Sequence, residues 1–313
     1  MDLMEFPQHH DLLLILHIDV NKTIIASDKA ENRSLDDVLN ILLAERTKYR
    51  WSPEVPEPIS YFNYICDYLL PGDHHDGDLK WKRRSITKNF VAFLQDSHHP
   101  LEQEITEKFN AIKNKLQDHY VFPSFFRLIM KLRHDEIDFR VILRSFGKDM
   151  PEVVQIIEKT MPNEKFAPLA RFKNGQLHLP NEIIGKVQDI YRLFTSKGHH
   201  LAIQDDWNEW NDHHEEFQYG KKFPLDLEDQ NTLSLFFDDN IDLDPDSPTN
   251  IVSPICAKDG GAIPMKILFE RKILHQTDTI QAILDEEYFI KAVEDAVATH
   301  IQESTCHCQE VIK

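Results

Sequence analysis

Three stretches far apart in the chain carry residue types that could act together on one oxygen-rich ligand. The first is Asp19-Val-Asn21-Lys-Thr23, directly after an apolar run. A carboxylate at the end of a buried strand has a fixed backbone and an available head, which is what a covalent nucleophile or a metal ligand needs. The second is Ser145, near the end of the apolar run 139–147, whose hydroxyl can donate to an anionic oxygen. The third is the cluster Asp238, Asp239 and Asp242, suited to an octahedral Mg²⁺ held mainly by oxygen and water. An isolated Asp in such a place is ordinarily a cap, and an acidic loop is ordinarily solvated. Three such signals, each behind an apolar run, argue for a site.

For these groups to meet, their supporting elements must end at one edge. Residues 11–19 are almost unbroken in apolar character and too short for a comfortable helix, the pattern of a strand buried on both faces. Residues 139–147 and 232–240 repeat it, and 200–206 and 250–256 are shorter runs of the same kind. Helical spacing fills the gaps: 125–133 with Ser124 as its expected cap, 151–159 opening on Pro151, 181–195 and 279–301. Strands alternating with helices predict an α/β fold with a doubly wound, mainly parallel sheet. In such sheets ligands sit beyond the carboxyl ends of the strands, where Asp19, Ser145 and Asp238 would converge. Residues 170–179 read as a hairpin, because Asn174-Gly175 supplies the positive φ angles of a tight turn.

Residues 27–118 depart from the alternation. They contain helical patterns at 34–46, behind a Ser34 cap, and at 59–70, 85–95 and 101–119, punctuated by Pro53, Pro56 and Pro58. The expected organisation is an α/β core formed by 1–26 and 119–313, with a helical domain at 27–118 inserted between the first motif and the second.

With these motifs in this order, the chain resembles the haloacid dehalogenase superfamily. That family carries Asp-x-Asp-x-Thr/Val after one strand, Ser/Thr after a second, a Lys/Arg third, and Asp-Asp or Asp-x-x-x-Asp after another strand. The resemblance covers roughly residues 11–26 and 120–256. It implies a Rossmann-like core with an inserted helical cap that closes over a small or medium substrate, and a Mg²⁺-dependent phosphohydrolase working through an aspartyl phosphate. It makes Asp19 the nucleophile, Ser145 the phosphate-binding hydroxyl and Asp238 the metal ligand, with Asp239 and Asp242 satisfying the two forms of the last motif. Gly220-Lys221-Lys222-Phe223 supplies the third position, Lys222 being preferred and Lys221 the alternate. Thr23, Ser145 and Lys222 would bind phosphate; Asp19, the main-chain carbonyl of Asn21, Asp238 and Asp239 would hold the metal.

The departure is Asn21, where phosphatases of that family have an Asp that protonates the leaving oxygen and then activates water. An amide cannot exchange a proton in this way, and such catalysis is worth about 10²–10⁴-fold. Three readings stay open: a substrate whose leaving group needs little protonation, another residue supplying the proton, or a catalytically weak or inactive phosphate-binding or protein-interaction module. Asp205 and Asp206, at the end of another run, could approach the site or cap the next helix. A dehalogenase is disfavoured because it needs no Mg²⁺ and so has no use for the Asp238–Asp239 pair.

Composition narrows the partners. The 313 residues are 41% hydrophobic, which excludes a disordered chain, and 35 Lys+Arg against 53 Asp+Glu give a net charge of -18. Nucleic acid and an anionic membrane surface would be repelled, so a phosphorylated small molecule or phosphoprotein would need a cation or a focused basic site. Cys66, Cys256, Cys306 and Cys308 are too scattered for a disulfide framework, and with neither a signal peptide nor a membrane span in the sequence a cytoplasmic location is expected. The paired histidines at 9–10, 74–75, 98–99, 199–200 and 213–214 match no zinc spacing, and Cys306-His307-Cys308 reads as a frayed end. Lys82, Arg83 and Arg84 form a basic cluster in the insert that could meet an anionic substrate.

Overall fold

The computed structural model describes residues 12–26, 34–73, 76–117 and 120–310, with side chains to 303. The paired histidines at 9–10 and 74–75 and the side chains of Cys306, His307 and Cys308 lie outside the described residues. The chain divides into two compact units, Met1–Ile25 with Val121–Lys313, and Ala26–Tyr120.

The larger unit opens with β1 (Leu13–Asp19). The smaller unit follows, with α1 (Leu35–Arg46), β2 (Lys48–Tyr49), β3 (Ile59–Ser60) and α2 (Tyr61–Tyr64), the last running into a π-helical segment (Ile65–Leu69). It closes with α3 (Gly77–Thr87), α4 (Phe90–Asp96) and α5 (Glu102–Leu116). Ser34 caps α1 as expected, in a reciprocal box in which its hydroxyl accepts from Asp37 N–H and the Asp37 carboxylate accepts from Ser34 N–H. Most of α1 is buried, and its buried Asn40 is satisfied by accepting from Val91 N–H and donating to Asp36 O. Rings of Trp51, Tyr61, Phe90 and Phe93 pack together beside it. Arg83 is buried and donates to the carbonyls of Leu70 and Gly72, so it clasps the chain rather than forming a surface patch with Lys82 and Arg84.

The larger unit resumes with α6 (Pro123–His134), β4 (Asp138–Ser145), α7 (Met150–Thr160), β5 (Ala170–Lys173), β6 (Gln176–His178), β7 (Ile183–Ile184), α8 (Val187–Thr195), β8 (Leu201–Gln204) and α9 (Trp207–Asp212). Then come β9 (Lys221–Leu225), β10 (Thr232–Asp238), β11 (Val252–Cys256), α10 (Met265–Glu270), β12 (Leu274–Gln276), α11 (Thr279–Leu284) and α12 (Tyr288–Glu310). The central sheet runs β12-β10-β1-β4-β8-β5-β6-β7. It is parallel from β12 through β5, and the hairpin strands β6 and β7 extend it in antiparallel sense. The hairpin turn has Asn174 at φ 50° and Gly175 at φ 72°, as its sequence demands. The chain leaves β1 on one side toward β4 and returns on the other as β10, so the strand order reverses at β1, where α/β sheets open a crevice at their carboxyl ends.

Four expectations are corrected. Residues 250–256 do not join the central sheet: β11 pairs with β9 in a separate two-stranded parallel sheet. The segment 181–195 begins as the edge strand β7 and becomes helical only from Val187. The segment 279–301 is two helices, because the backbone turns extended at Asp285, whose carboxylate accepts from Glu287 N–H. Ser124 is not a cap either: α6 starts at Pro123, with its fixed φ at the first helical position, and the Ser124 hydroxyl donates to Ala282 O.

One apolar and ionic layer supports the carboxyl ends of β1 and β10. His17 and Phe236 are in register on adjacent strands and stack at 5.5 Å, and Phe223 of β9 meets both edge-on at 4.9 and 5.1 Å. Arg144 is buried beside them and bonds Asp205 through Nε (3.0 Å) and Nη2 (2.5 Å), Lys222 O (3.0 Å) and the His17 ring (3.2 Å). The His17 ring is held well below its ordinary pKa, by burial first and by the Arg144 charge second, so it packs as a neutral aromatic.

Gly220 lets β9 enter this layer. A Cβ there would lie 2.6 Å from Ile251 O and 2.8 Å from Ile251 C, so the backbones approach closer than any side chain permits. Gly220→Ala is expected to cost about 1–3 kcal/mol of overpacking in urea denaturation; an unchanged midpoint would refute the close approach.

Candidate functional site

Register assembles the site. In parallel neighbours, residues in register share a face, and residues two apart on one strand share it too. Asp19 therefore follows His17 on the face where Asp238 follows Phe236, and the strand pair delivers both carboxylates to the same point. Asp239 adds a third: carboxylate oxygens of Asp19, Asp238 and Asp239 lie within 4.8 Å of one another. On β9 the same alternation operates. Phe223 faces His17 and Phe236, so Lys221, two residues earlier, faces the acids.

The Lys221 ammonium donates to Asp19 Oδ1 at 2.5 Å and to Asp238 Oδ2 at 2.6 Å. All three side chains are buried, that of Lys221 to 1% exposure. Burial pulls the ammonium toward its neutral form, yet the charges of Asp19, Asp238 and Asp205 outweigh it and hold Lys221 above its ordinary value. Asp19 is raised well above the usual carboxylate range, first by burial and then by Asp238 and Asp239, against the pull of Lys221. The three carboxylates offer an all-oxygen donor set that a divalent cation fits.

The loop after β1 is locked to both neighbours. Lys22 takes a left-handed φ of 60°, its N–H donates to Ile25 O (2.8 Å), and Ile24 and Ile25 both donate back to Val20 O. The Thr279 hydroxyl donates to Lys22 O at 2.5 Å, and Thr23 Oγ1 accepts from Asp239 N–H at 3.2 Å. Asp238 Oδ1 accepts from Asn240 N–H at 2.9 Å. Ser145 ends β4, with its Oγ accepting from Gly147 N–H at 2.8 Å, which leaves the hydroxyl proton to donate elsewhere.

Comparison of the chain with protein-family models, curated proteins and solved structures finds no match. What the site can do is therefore read from its own groups.

Of the expected residues, Asp19, Asp238 and Asp239 come together, and Ser145 stands at the end of the strand next to Asp19. Lys222 is a correction. Its ammonium donates to Gln218 O at 2.5 Å, on the other face of β9, and the lysine at the acids is Lys221. The signal was present in Lys221-Lys222-Phe223: whichever face Phe223 takes into the core, period-two alternation gives the same face to Lys221. Thr23 Oγ1 is fully buried and accepts from Asp239 N–H, which ties the loop after β1 to the third acid. Asp242 is not in the cluster; its carboxylate accepts from Asp244 N–H. Asp206 caps α9, whereas Asp205 is the buried partner of Arg144. The Asn21 side chain donates from Nδ2 to Asp149 Oδ2 at 3.1 Å. Arg144 and Asp149 were not among the expected residues: an Arg inside an apolar strand reads locally as an irregularity, and an Asp before a helix carries no local sign of a long-range partner. Among the described residues the histidines join no metal-ligand cluster, and no helix is long and apolar enough to cross a membrane. His99 packs on Trp51, His200 bonds Glu164, and His213 stacks on Tyr219.

The two lysines separate in a stability measurement. Removing one partner of a buried ion pair typically costs 3–5 kcal/mol, so Lys221→Met is expected to lose about that much in urea titration without added metal. Lys222→Met is expected to change stability by less than about 1 kcal/mol. Equal losses would refute the assignment.

Proposed function

We propose that this chain is a haloacid-dehalogenase-like phosphohydrolase, dependent on Mg²⁺ and working through an aspartyl phosphate on Asp19. One observation carries the reading: Lys221 bridges Asp19 and Asp238 at the carboxyl ends of β1 and β10, at the reversal of strand order, with Asp239 beside them. A structural ion pair needs one carboxylate per ammonium. Here two carboxylates, Asp19 and Asp238, both fully or almost fully buried, share one ammonium, and such burial is costly unless a cation joins them.

In the proposed chemistry Asp19, Asp238 and Asp239 would hold the cation, which neutralises phosphoryl oxygens and so lowers the charge that the nucleophile must approach. Asp19 Oδ attacks the phosphorus in line with the departing ester oxygen. Lys221 holds Asp19 in one rotamer and offsets its charge. The Ser145 hydroxyl, with its oxygen occupied by Gly147 N–H, donates to a phosphoryl oxygen. Water then attacks the aspartyl phosphate, releasing inorganic phosphate and restoring the Asp19 carboxylate. The substrate class is a phosphate monoester, on a small molecule or a protein.

Purified protein is expected to release p-nitrophenol from p-nitrophenyl phosphate with Mg²⁺ and to stop on chelation. Asp19→Asn is expected to reduce turnover at least 10³-fold while the fold, followed by circular dichroism, persists. Mg²⁺ should raise the melting temperature of the native chain and leave that of Asp238→Asn unmoved. Absence of metal-dependent release over a panel of phosphate esters would replace this reading with that of a non-catalytic phosphate-binding module.

A further inference from the structure

Ester hydrolysis at Asp19 leaves one chemical requirement unmet by the groups described so far. The departing oxygen must gain a proton and the attacking water must lose one, and neither the amide of Asn21 nor the ammonium of Lys221, pinned between two carboxylates, is suited to exchange it. The structure offers a carboxylate for this at a position with no local reason to be there.

Asp149 is the residue immediately before α7, the N-cap position, where an Asp ordinarily accepts from its own helix's first amides. Asp76, Asp206 and Asp278 all do so at the starts of α3, α9 and α11. Asp149 does not: its carboxylate makes no bond to the amides of α7. It is 4% exposed and turned toward the loop after β1, where Oδ2 accepts from Asn21 Nδ2 at 3.1 Å. With the amide nitrogen so engaged, Asn21 Oδ1 is buried and has no partner.

Gly147 shows how closely these groups stand. A Cβ on Gly147 would lie 3.2 Å from Ser145 Oγ, 3.3 Å from Asp149 Oδ2 and 3.5 Å from Asn21 Nδ2. The space a methyl group would fill is thus walled by the phosphate-binding hydroxyl, a buried carboxylate and the amide that stands two residues from the nucleophile. Gln204 donates to Gly147 O at 3.3 Å, holding this turn against β8. The helix start that a cap would normally secure has given up that bond, a loss of about tenfold in local equilibrium by ordinary capping strength, in favour of a contact with the loop that carries Asp19.

We infer that Asp149 exchanges the proton in the proposed hydrolysis and that Asn21 positions it. The inference rests on the phosphohydrolase reading. In the first step Asp19 Oδ forms a bond to phosphorus, the phosphorus–ester oxygen bond breaks, and that oxygen takes the proton of the Asp149 carboxyl group. In the second, the oxygen of water forms a bond to phosphorus, the phosphorus–Asp19 bond breaks, and the proton of water passes to the Asp149 carboxylate. The cycle consumes one water, yields an alcohol and inorganic phosphate, and leaves Asp149 as it began. Asn21 is a positioning residue: it touches Asp149 rather than carrying the proton.

The test compares full-length wild type, Asp149→Asn, Asp149→Ala and the double variant Asn21→Asp with Asp149→Asn. Each is assayed in Mg²⁺ on p-nitrophenyl phosphate and on an alkyl phosphate, with acid-quenched phosphoenzyme trapped by hydroxylamine. Loss of the proton carrier should slow the phosphorylation step, read as the pre-steady-state release of alcohol, by about 10²–10⁴-fold on the alkyl ester and much less on the aryl ester, because p-nitrophenolate leaves unaided. With p-nitrophenyl phosphate, phosphoenzyme should therefore accumulate on Asp19 in both single variants, since water then attacks without a base. The double variant should recover alkyl turnover, because it returns a carboxylate to position 21. Equal losses on both esters without trapped phosphoenzyme, or a double variant no better than Asp149→Asn, would overturn the role of Asp149. Wild type that turns over neither ester would instead overturn the phosphohydrolase reading, and this inference with it.

Discussion

Everything in the larger unit is arranged around a repulsion. Asp19, Asp238 and Asp239 crowd their carboxylates into a space under 5 Å across at the ends of adjacent strands, with Lys221 as the cation in direct contact with two of them. Taking charges from water is expensive, and like charges at this range raise the cost further. The arrangement persists because it is over-determined by covalent and hydrogen-bonded geometry. Asp19 and Asp238 are strand residues whose directions are fixed by the ladder, and the main-chain N–H of Asp239 donates a hydrogen bond to Thr23 Oγ1. The Asp19 and Asp238 carboxylates are further held by their hydrogen bonds to Lys221. Strain of this kind, held by a rigid scaffold, is how sites that bind cations and anionic groups are kept ready.

The neighbouring Arg144–Asp205 pair makes the contrast explicit. It is equally buried, but one guanidinium faces one carboxylate in a two-bond geometry, with Lys222 O and the His17 ring taking further donors. That network is electrically closed, so it supports packing and asks for nothing more. In the carboxylate cluster farther along the same face, one ammonium is divided between two buried carboxylates, Asp19 and Asp238. Two ionic networks in one layer thus play different parts, and this shared cation, rather than burial alone, distinguishes the site from its support. Phe223 links them mechanically: it packs on the ring of His17, which Arg144 holds, and its strand neighbour Lys221 meets the acids.

Much of this was legible in the sequence, for identifiable reasons. Residues 13–19, 138–145 and 232–238 are strands buried on both faces, and such strands announce themselves as continuous apolar runs. Their terminal polar residues then had one plausible meeting place. What was lost depended on information that short segments do not carry. β9 is five residues long with two adjacent lysines: alternation puts Lys221 on the face of Phe223, but that the acids lie on that same face is a tertiary fact. The run 252–256 has strand composition but finds its partner in β9 rather than in the central sheet, because pairing is decided by neighbours and not by propensity. Ser124 was misjudged by a local rule: a hydroxyl beside a helix start suggested a cap and donates to Ala282 O instead. Asp149, also beside a helix start, accepts from Asn21.

Asn21 ties the legible part to the illegible part. Taken alone, an amide where proton exchange is expected argues that the chemistry has been lost. Set beside Asp149 it has another meaning, because a carboxylate and a primary amide facing each other are a complementary pair, and two carboxylates there would repel. An Asp at position 21 would place a further negative group against Asp149 and two residues from Asp19, in a region already overloaded with acids. With one carboxylate lodged at 149, the uncharged residue at 21 is the choice that electrostatics favours. On the proposed phosphohydrolase reading, the amide at 21 and the acid at 149 are then one feature of the site, visible only when residues 128 positions apart in sequence are brought within a hydrogen bond.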